Sequence, residues 1–146
     1  MSKSALVNHV FGSIDLNEPI LPDVINITSS SLILSSMNSG SLVVNQFTAG
    51  STHVSIPLEA GVSFKFIQAQ PNNQVYITAS ISGCPSVFSG HYMCGTTGSS
   101  FTNSADVDFA DSNGAVGDSI NVICDGAKYY VTGNSANRDG LFHNQC

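Results

Sequence analysis

The sequence predicts an all-β fold: a single antiparallel β-sandwich or jelly-roll-like barrel with an extended N-terminal arm. Three observations carry this. Apolar residues recur with period two in most segments that hold them. Stretches rich in Ala, Leu, Glu, Lys and Arg at helical spacing are scarce. Gly, Pro, Asn and Asp separate the alternating segments at short intervals. The chain has 146 residues, of which 42% are hydrophobic, so it fits one domain able to bury its own core. Residues 1–28 read as the arm and residues 29–146 as the sandwich domain.

The arm contains Pro19 and Pro22 among mixed residues and is expected to hold one or two short edge strands. SLIL (31–34) and SLVVNQF (41–47) flank Met37-Asn38-Ser39-Gly40, which predicts a hairpin. In 52–58, Val54, Ile56 and Leu58 point one way, with Thr52, His53 and Ser55 polar. In 62–68, Val62, Phe64 and Phe66 share a face opposite Ser63 and Lys65. In 74–82, Val75, Ile77, Ala79 and Ile81 oppose Tyr76, Thr78 and Ser80. Each has one apolar and one wetter side, the pattern of an antiparallel sheet covered on one face. Glu59-Ala60-Gly61 and Pro71-Asn72-Asn73 are the expected turns between them.

Residues 83–117 carry Gly83, Gly90, Gly95, Gly98, Gly114 and Gly117 with many Ser, Thr and Asn. They read as a long loop region, interrupted by strands at Val87-Phe88 and 106–109. A loop that long in a compact domain is usually functional or lies on a partner. INVIC (120–124) and KYYV (128–131) flank Asp125-Gly126, which suits a type I′ hairpin. Tyr129 and Tyr130 then fall on opposite faces, one in the core and one free to reach a partner or a sugar. The whole makes seven or eight strands, with no internal repeat of useful length.

Charge is sparse. Only 10% of residues are Asp, Glu, Lys or Arg, against roughly 25% in an average soluble domain. Lys3, Lys65, Lys128 and Arg138 face ten acids, for a net charge of -6. That excludes nucleic acid and anionic membrane as main partners, because phosphate binding needs clustered cations. It also points away from most enzymes. The longest apolar runs are far shorter than a membrane helix requires. No continuous apolar h-region follows Lys3 and the terminal Cys146 makes no prenylation box, so synthesis in a cytoplasm is expected.

No G-x-S-x-G, H-E-x-x-H or Walker A pattern is present. His91 and Cys94 form H-x-x-C, to which His143 or Cys146 could add a metal ligand. The spacing fits no zinc ribbon. Cys94 with His91 or His143 and an Asp is conceivable as a thiol nucleophile set, but nothing in the spacing singles it out. Cys84 and Cys94 could bridge adjacent strands or loop ends. The blander reading is free thiols in a reducing compartment, with Cys124 a small core residue beside Ile120 and Val122. Asp106, Asp108 and Asp111 offer oxygen ligands but miss the EF-hand spacing. They read instead as a strand with two outward, solvated carboxylates before a Ser-Asn-Gly turn. The sequon Asn26-Ile27-Thr28 reads as accidental. No catalytic, cofactor or metal residue is assigned, and no cofactor is expected.

The segment Gly117-Asp118-Ser119-Ile120-Asn121-Val122-Ile123-Cys124-Asp125-Gly126-Ala127-Lys128-Tyr129-Tyr130-Val131-Thr132-Gly133 resembles a hairpin recurrent in structural proteins of double-stranded DNA viruses. These are phage head-decoration and fibre proteins and minor capsid proteins of giant algal viruses. IPLEAGVSFKFIQA (56–69) and NQVYITASISG (73–83) resemble the strand pair that precedes it there, so the likeness spans residues 52 to 133. Departures are Tyr129, where Trp is frequent, and the four cysteines. The resemblance implies a non-enzymatic virion protein, assembled in the host cytoplasm, that decorates, cements or caps a shell. Its implied partners are the major capsid protein or other virion proteins and copies of itself, as a trimer or pentamer, without nucleic acid or membrane. The alternative is a receptor- or glycan-binding fibre-tip module using the 83–117 loops and Tyr129 or Tyr130.

Overall fold

The computed structural model describes residues 21–146, so the part of the arm before Leu21 lies outside the described residues. Twelve strands form two layers. They are β1 (Val24–Ile27), β2 (Ser31–Ile33), β3 (Leu42–Asn45), β4 (Thr52–Ile56), β5 (Ser63–Gln68), β6 (Val75–Ala79), β7 (Phe88–Cys94), β8 (Thr97–Ser104), β9 (Asp106–Phe109), β10 (Ser119–Cys124), β11 (Tyr129–Ser135) and β12 (Leu141–Asn144). One sheet has seven strands in the order β1-β3-β5-β10-β11-β7-β8; the other has five, in the order β12-β9-β6-β4-β2. The all-β sandwich expected from the alternation is therefore present, with β1 an edge strand within residues 1–28.

The strand pairing differs from the expected hairpins. From β1 to β6 the chain alternates between the sheets, so consecutive strands face each other across the core. Met37–Gly40, Glu59-Ala60-Gly61 and Pro71-Asn72-Asn73 are corners between layers, not hairpin turns. Strands two apart in sequence then lie side by side and run parallel: Val24 beside Leu42, Leu42 beside Lys65, Ser31 beside His53, Thr52 beside Val75. Parallel neighbours need a long crossover, usually a helix. Here a strand of the opposite sheet supplies it. Both sheets are consequently mixed: every antiparallel pair includes at least one strand after β6, while β7 and β11 also pair in parallel. The successive coils share this geometry without a sequence repeat, because only the in-out pattern has to recur.

Two further differences have local causes. Residues 83–117 hold three strands, not two short interruptions in a loop. In β8 only Phe101 and Ser104 are buried, so apolar alternation is nearly absent and backbone pairing with β7 holds the strand. The Asp125-Gly126 hairpin forms between β10 and β11, but Cys124 pairs with Tyr129 across a four-residue loop. Gly126 alone in it has positive φ, 99°. Asp125 Oδ1 accepts from the Ala127 and Lys128 amides, 2.8 Å each, an Asx turn in place of the type I′ turn.

The core fills with the alternate residues named above. Val54, Ile56, Val75, Ile77, Val107 and Phe109 come from the five-stranded sheet. Val43, Phe64, Phe66, Ile120, Val122 and Val131 come from the other. Each large apolar side chain so buried stabilises by about 1.5–3 kcal/mol. Two buried tyrosines also tie the layers. Tyr129 stacks on Phe88 at 4.6 Å and its hydroxyl donates to the Ile56 carbonyl, 2.9 Å. The Tyr92 hydroxyl donates to the Phe142 carbonyl, 2.8 Å. Tyr129 is thus the core member of the Tyr129-Tyr130 pair and Tyr130 the exposed one. Gly90 is required where β7 meets β11: a Cβ there would sit 1.9 Å from the Val131 carbonyl oxygen.

One end of the core is polar. Asn45, Gln68, Asp118 and Ser135 are all buried, and strand register sets them in a row across the seven-stranded sheet. The Asn45 amide donates to Gln68 Oε1, 2.8 Å, and Gln68 Nε2 donates to the Asn73 carbonyl. Asp118 Oδ2 accepts from the Ala115 amide and the Ser135 hydroxyl, both 2.8 Å, and Oδ1 accepts from the Ala136 amide, 3.0 Å.

Candidate functional site

The outer face of the seven-stranded sheet carries a groove of about 480 Å³ over β10, β11, β7 and β8. Register sets its side chains in two rows. Ile123, Tyr130 and Ser89 form one; Asn121, Thr132, His91 and Ser100 form the other. Tyr130 and Ile123 are both more than half exposed. The Tyr130 hydroxyl donates to Asp125 Oδ2, 3.0 Å, which pins the ring. That bond raises the phenol's pKa. The amides of Ala127 and Lys128, and then the Tyr130 hydroxyl, hold the Asp125 carboxyl below the usual carboxylate range. Lys128, the nearest cation in sequence, is turned to Asn103 Oδ1 at 3.1 Å.

The structure separates the residues of the metal and nucleophile readings. His91 and Cys94 are an odd number of positions apart on β7, so His91 faces solvent and Cys94 the core. His143 stacks on Phe101 at 4.3 Å and its Nδ1 lies 2.9 Å from Ser104 Oγ; burial pulls its imidazole pKa down. Cys94 and His143 do line one cleft, with Arg138 and Asp139, but burial raises the Cys94 thiol pKa, against hydrogen bonding to the Leu141 backbone that lowers it. That is the opposite of an activated nucleophile. Among the described residues no group of three or more His, Cys, Asp or Glu converges to hold a metal.

The cysteine reading needs a correction. Cys84 and Cys146 form a disulfide, with Cα atoms 5.8 Å apart, while Cys94 and Cys124 are free and buried. Cys84 pairs with the end of the chain and not with Cys94, because Cys94 points inward from β7. The bridge ties the segment after β6 to Cys146, two residues beyond β12. Disulfides persist in oxidising surroundings, including virion and cell surfaces, so the expectation of free thiols holds only for Cys94 and Cys124, which are free and buried. Alkylation of the denatured, unreduced protein should therefore modify Cys94 and Cys124 alone, and peptide mapping should recover residues 84 and 146 linked.

Asp106 and Asp108 lie on the outward face of β9, as expected, but Asp108 is not solvated. It is 1% exposed, and its Oδ1 has no hydrogen-bond partner. Gln74 Nε2 donates to Oδ2, 3.0 Å. Burial pushes the Asp108 pKa up to about 7, against the lowering effect of Gln74, with Asp106 and Asp111 adding repulsion. Cross-strand neighbours Tyr76 and Phe142 flank it. A two-residue alternation cannot show that an outward position is covered by its neighbours.

The two long sides of the sandwich are unlike. At β8 and β12 the layers are laced together. The Ala105 amide donates to the Asn144 carbonyl at 2.7 Å, Gln145 Nε2 to the Thr102 carbonyl at 3.3 Å, and Ser104 meets His143. At β1 and β2, no described strand pairs with the outer edge of either sheet. Exposed Leu21, Val24, Ile33 and Met37 cluster in the segments of this side, Ile33 at 78% and Met37 at 91% exposure. Among the described residues the cations are Lys65, Lys128 and Arg138, none of them in β1 or β2. Sequence reasoning expected an edge strand within residues 1–28, but neither β2 as the neighbouring edge of the other sheet nor the Asn121–Ser100 row, because both arise from which strands become neighbours.

No known protein family, curated protein or solved structure matches this chain.

Proposed function

We propose that this chain is a non-enzymatic structural protein of a virus particle, a capsid surface or minor capsid component that binds the shell and copies of itself. The observation that carries the assembly reading is the β1/β2 side: two adjacent sheet edges that, among the described residues, have no further strand partner, carry exposed apolar residues and hold no Lys or Arg in either strand. An unprotected edge is a template for pairing with another chain. The sparse charge supports the same reading, since few ions need be desolvated when copies pack. The exposed Cys84–Cys146 bridge suits a protein that persists outside a reducing cytoplasm. The viral setting rests on the likeness of residues 52–133 stated above, whose final hairpin is β10–β11.

The test is the double variant Val24→Lys, Ile33→Lys. Both side chains are exposed, so stability should change by no more than about 0.5 kcal/mol per site. Sedimentation velocity should show the wild type as an oligomer, and the variant as a monomer or a weaker assembly. An unchanged oligomer in the variant, or a wild-type monomer that also ignores its shell, would count against the assembly role of this side.

A further inference from the structure

We propose that the groove on the outer face of the seven-stranded sheet binds a neutral saccharide. The inference goes beyond the assembly reading and uses a different surface. Its first support is the row Asn121, Thr132, His91 and Ser100, one residue from each of four adjacent strands. Among the described residues none of these four side chains has an intramolecular hydrogen-bond partner. Strand spacing sets them at intervals of about 4.8 Å, so amide, hydroxyl and imidazole groups form a line of free donors and acceptors. Alongside runs the row with Tyr130 and Ile123, which supplies apolar surface and an aromatic ring held by Asp125.

This pairing of surfaces suits a ligand with both a C–H face and hydroxyl edges. The sugar ring would lie against Tyr130 and Ile123, and its hydroxyls would meet Asn121, Thr132 and His91. Charge argues for a neutral ligand. The groove is lined by no Asp, Glu, Lys or Arg; Lys65, the cross-strand neighbour of Asn121, stands at its edge as a single cation, and the chain's net charge of -6 disfavours an anionic ligand. The volume is within the range of small-ligand sites. Aromatic side chains with one apolar and one polar end are suited to such surfaces.

The experiment measures retention of the full chain on immobilised neutral tetrasaccharides built from glucose, mannose, galactose or N-acetylglucosamine, beside sialylated and sulfated controls. The expected result is retention on at least one neutral sugar. Tyr130→Ala and Thr132→Arg should each weaken it about ten-fold or more, and Tyr130→Phe should keep most of it. Thr132 is exposed, so its variant fills the groove without touching the core. Retention on none of the neutral sugars, preference for the anionic controls, or retention unaffected by both Tyr130→Ala and Thr132→Arg would overturn the proposal. So would a drop in oligomer mass in Tyr130→Ala, which would put a second copy in the groove. The assembly reading is read separately, from the Val24→Lys, Ile33→Lys protein, which should bind sugar as the wild type does.

Discussion

Asp118→Ala should be among the most damaging single substitutions in this sandwich, lowering stability by about 3–5 kcal/mol. Asp118 is buried, and its carboxylate accepts from the Ala115 amide, the Ser135 hydroxyl and the Ala136 amide. Removing it orphans the buried Ser135 hydroxyl and the partly buried Ala115 and Ala136 amides at once, and an unsatisfied buried group costs roughly 1–3 kcal/mol. Gly140 closes the site: a Cβ there would meet Ser135 Oγ at 1.9 Å and Asp118 Oδ2 at 3.1 Å. The loops before β10 and after β11 are therefore fastened at one point. A domain of this size has a total stability of only about 5–15 kcal/mol, so the variant should melt many degrees lower. Asp118→Asn keeps one acceptor oxygen and should lose less. Urea titrations of the three proteins check this; equal midpoints would show that the network contributes nothing.

Asp108→Asn should act in the opposite sense, and only at higher pH. The Asp108 carboxyl is raised to about 7 by burial, against the lowering effect of Gln74, while an unfolded chain leaves it near 3.9. A folded-state pKa above the unfolded one means that folding favours the protonated form. The stability it contributes is fully present below about pH 4 and is lost as pH rises through about 7. The loss is on the order of a few kcal/mol, since each unit corresponds to about 1.4 kcal/mol. The Asn side chain stays neutral and can still accept from Gln74. Asp108→Asn should thus match the wild type at pH 4, become progressively more stable than it up to pH 7, and hold that advantage above. Thermal melts of both proteins across pH 4–9 measure the difference directly. A difference that does not change with pH would contradict the raised carboxyl.

The in-out pattern of the sandwich was legible in the sequence because burial follows alternation. Val54, Ile56, Val75, Ile77, Phe64 and Phe66 face the core as their spacing requires, and Tyr129 and Tyr130 divide as expected. Pairing was not legible. Gly61, with φ 87°, and Asn72, with φ 57°, reverse the chain equally well within a sheet or between layers. Local residues alone do not choose between a hairpin and a corner. The edge strand β8 escaped because Thr97, Gly98, Ser99 and Ser100 are all exposed and offer no apolar rhythm. The candidate surfaces escaped for the same reason as the pairing. The row from Asn121 to Ser100 brings together four strands from two separate stretches of chain, β7–β8 and β10–β11, and only register aligns them. The Cys84–Cys146 bridge likewise depends on where β12 ends relative to the segment after β6. Tyr130 was the exception, because an aromatic at an outward position of a strongly alternating strand can be read from sequence alone.

The central claim is that this sandwich works by being built into an assembly, through the side at β1 and β2. It is tested most directly by purifying virus particles from cells that produce the chain and measuring its copy number in them. The same measurement is made with Val24→Lys, Ile33→Lys in its place. The account predicts a fixed, symmetry-compatible copy number for the wild type and loss of the variant from particles that remain intact. Absence of the wild type from purified particles would contradict the viral role, and equal incorporation of the variant would contradict the part given to this side.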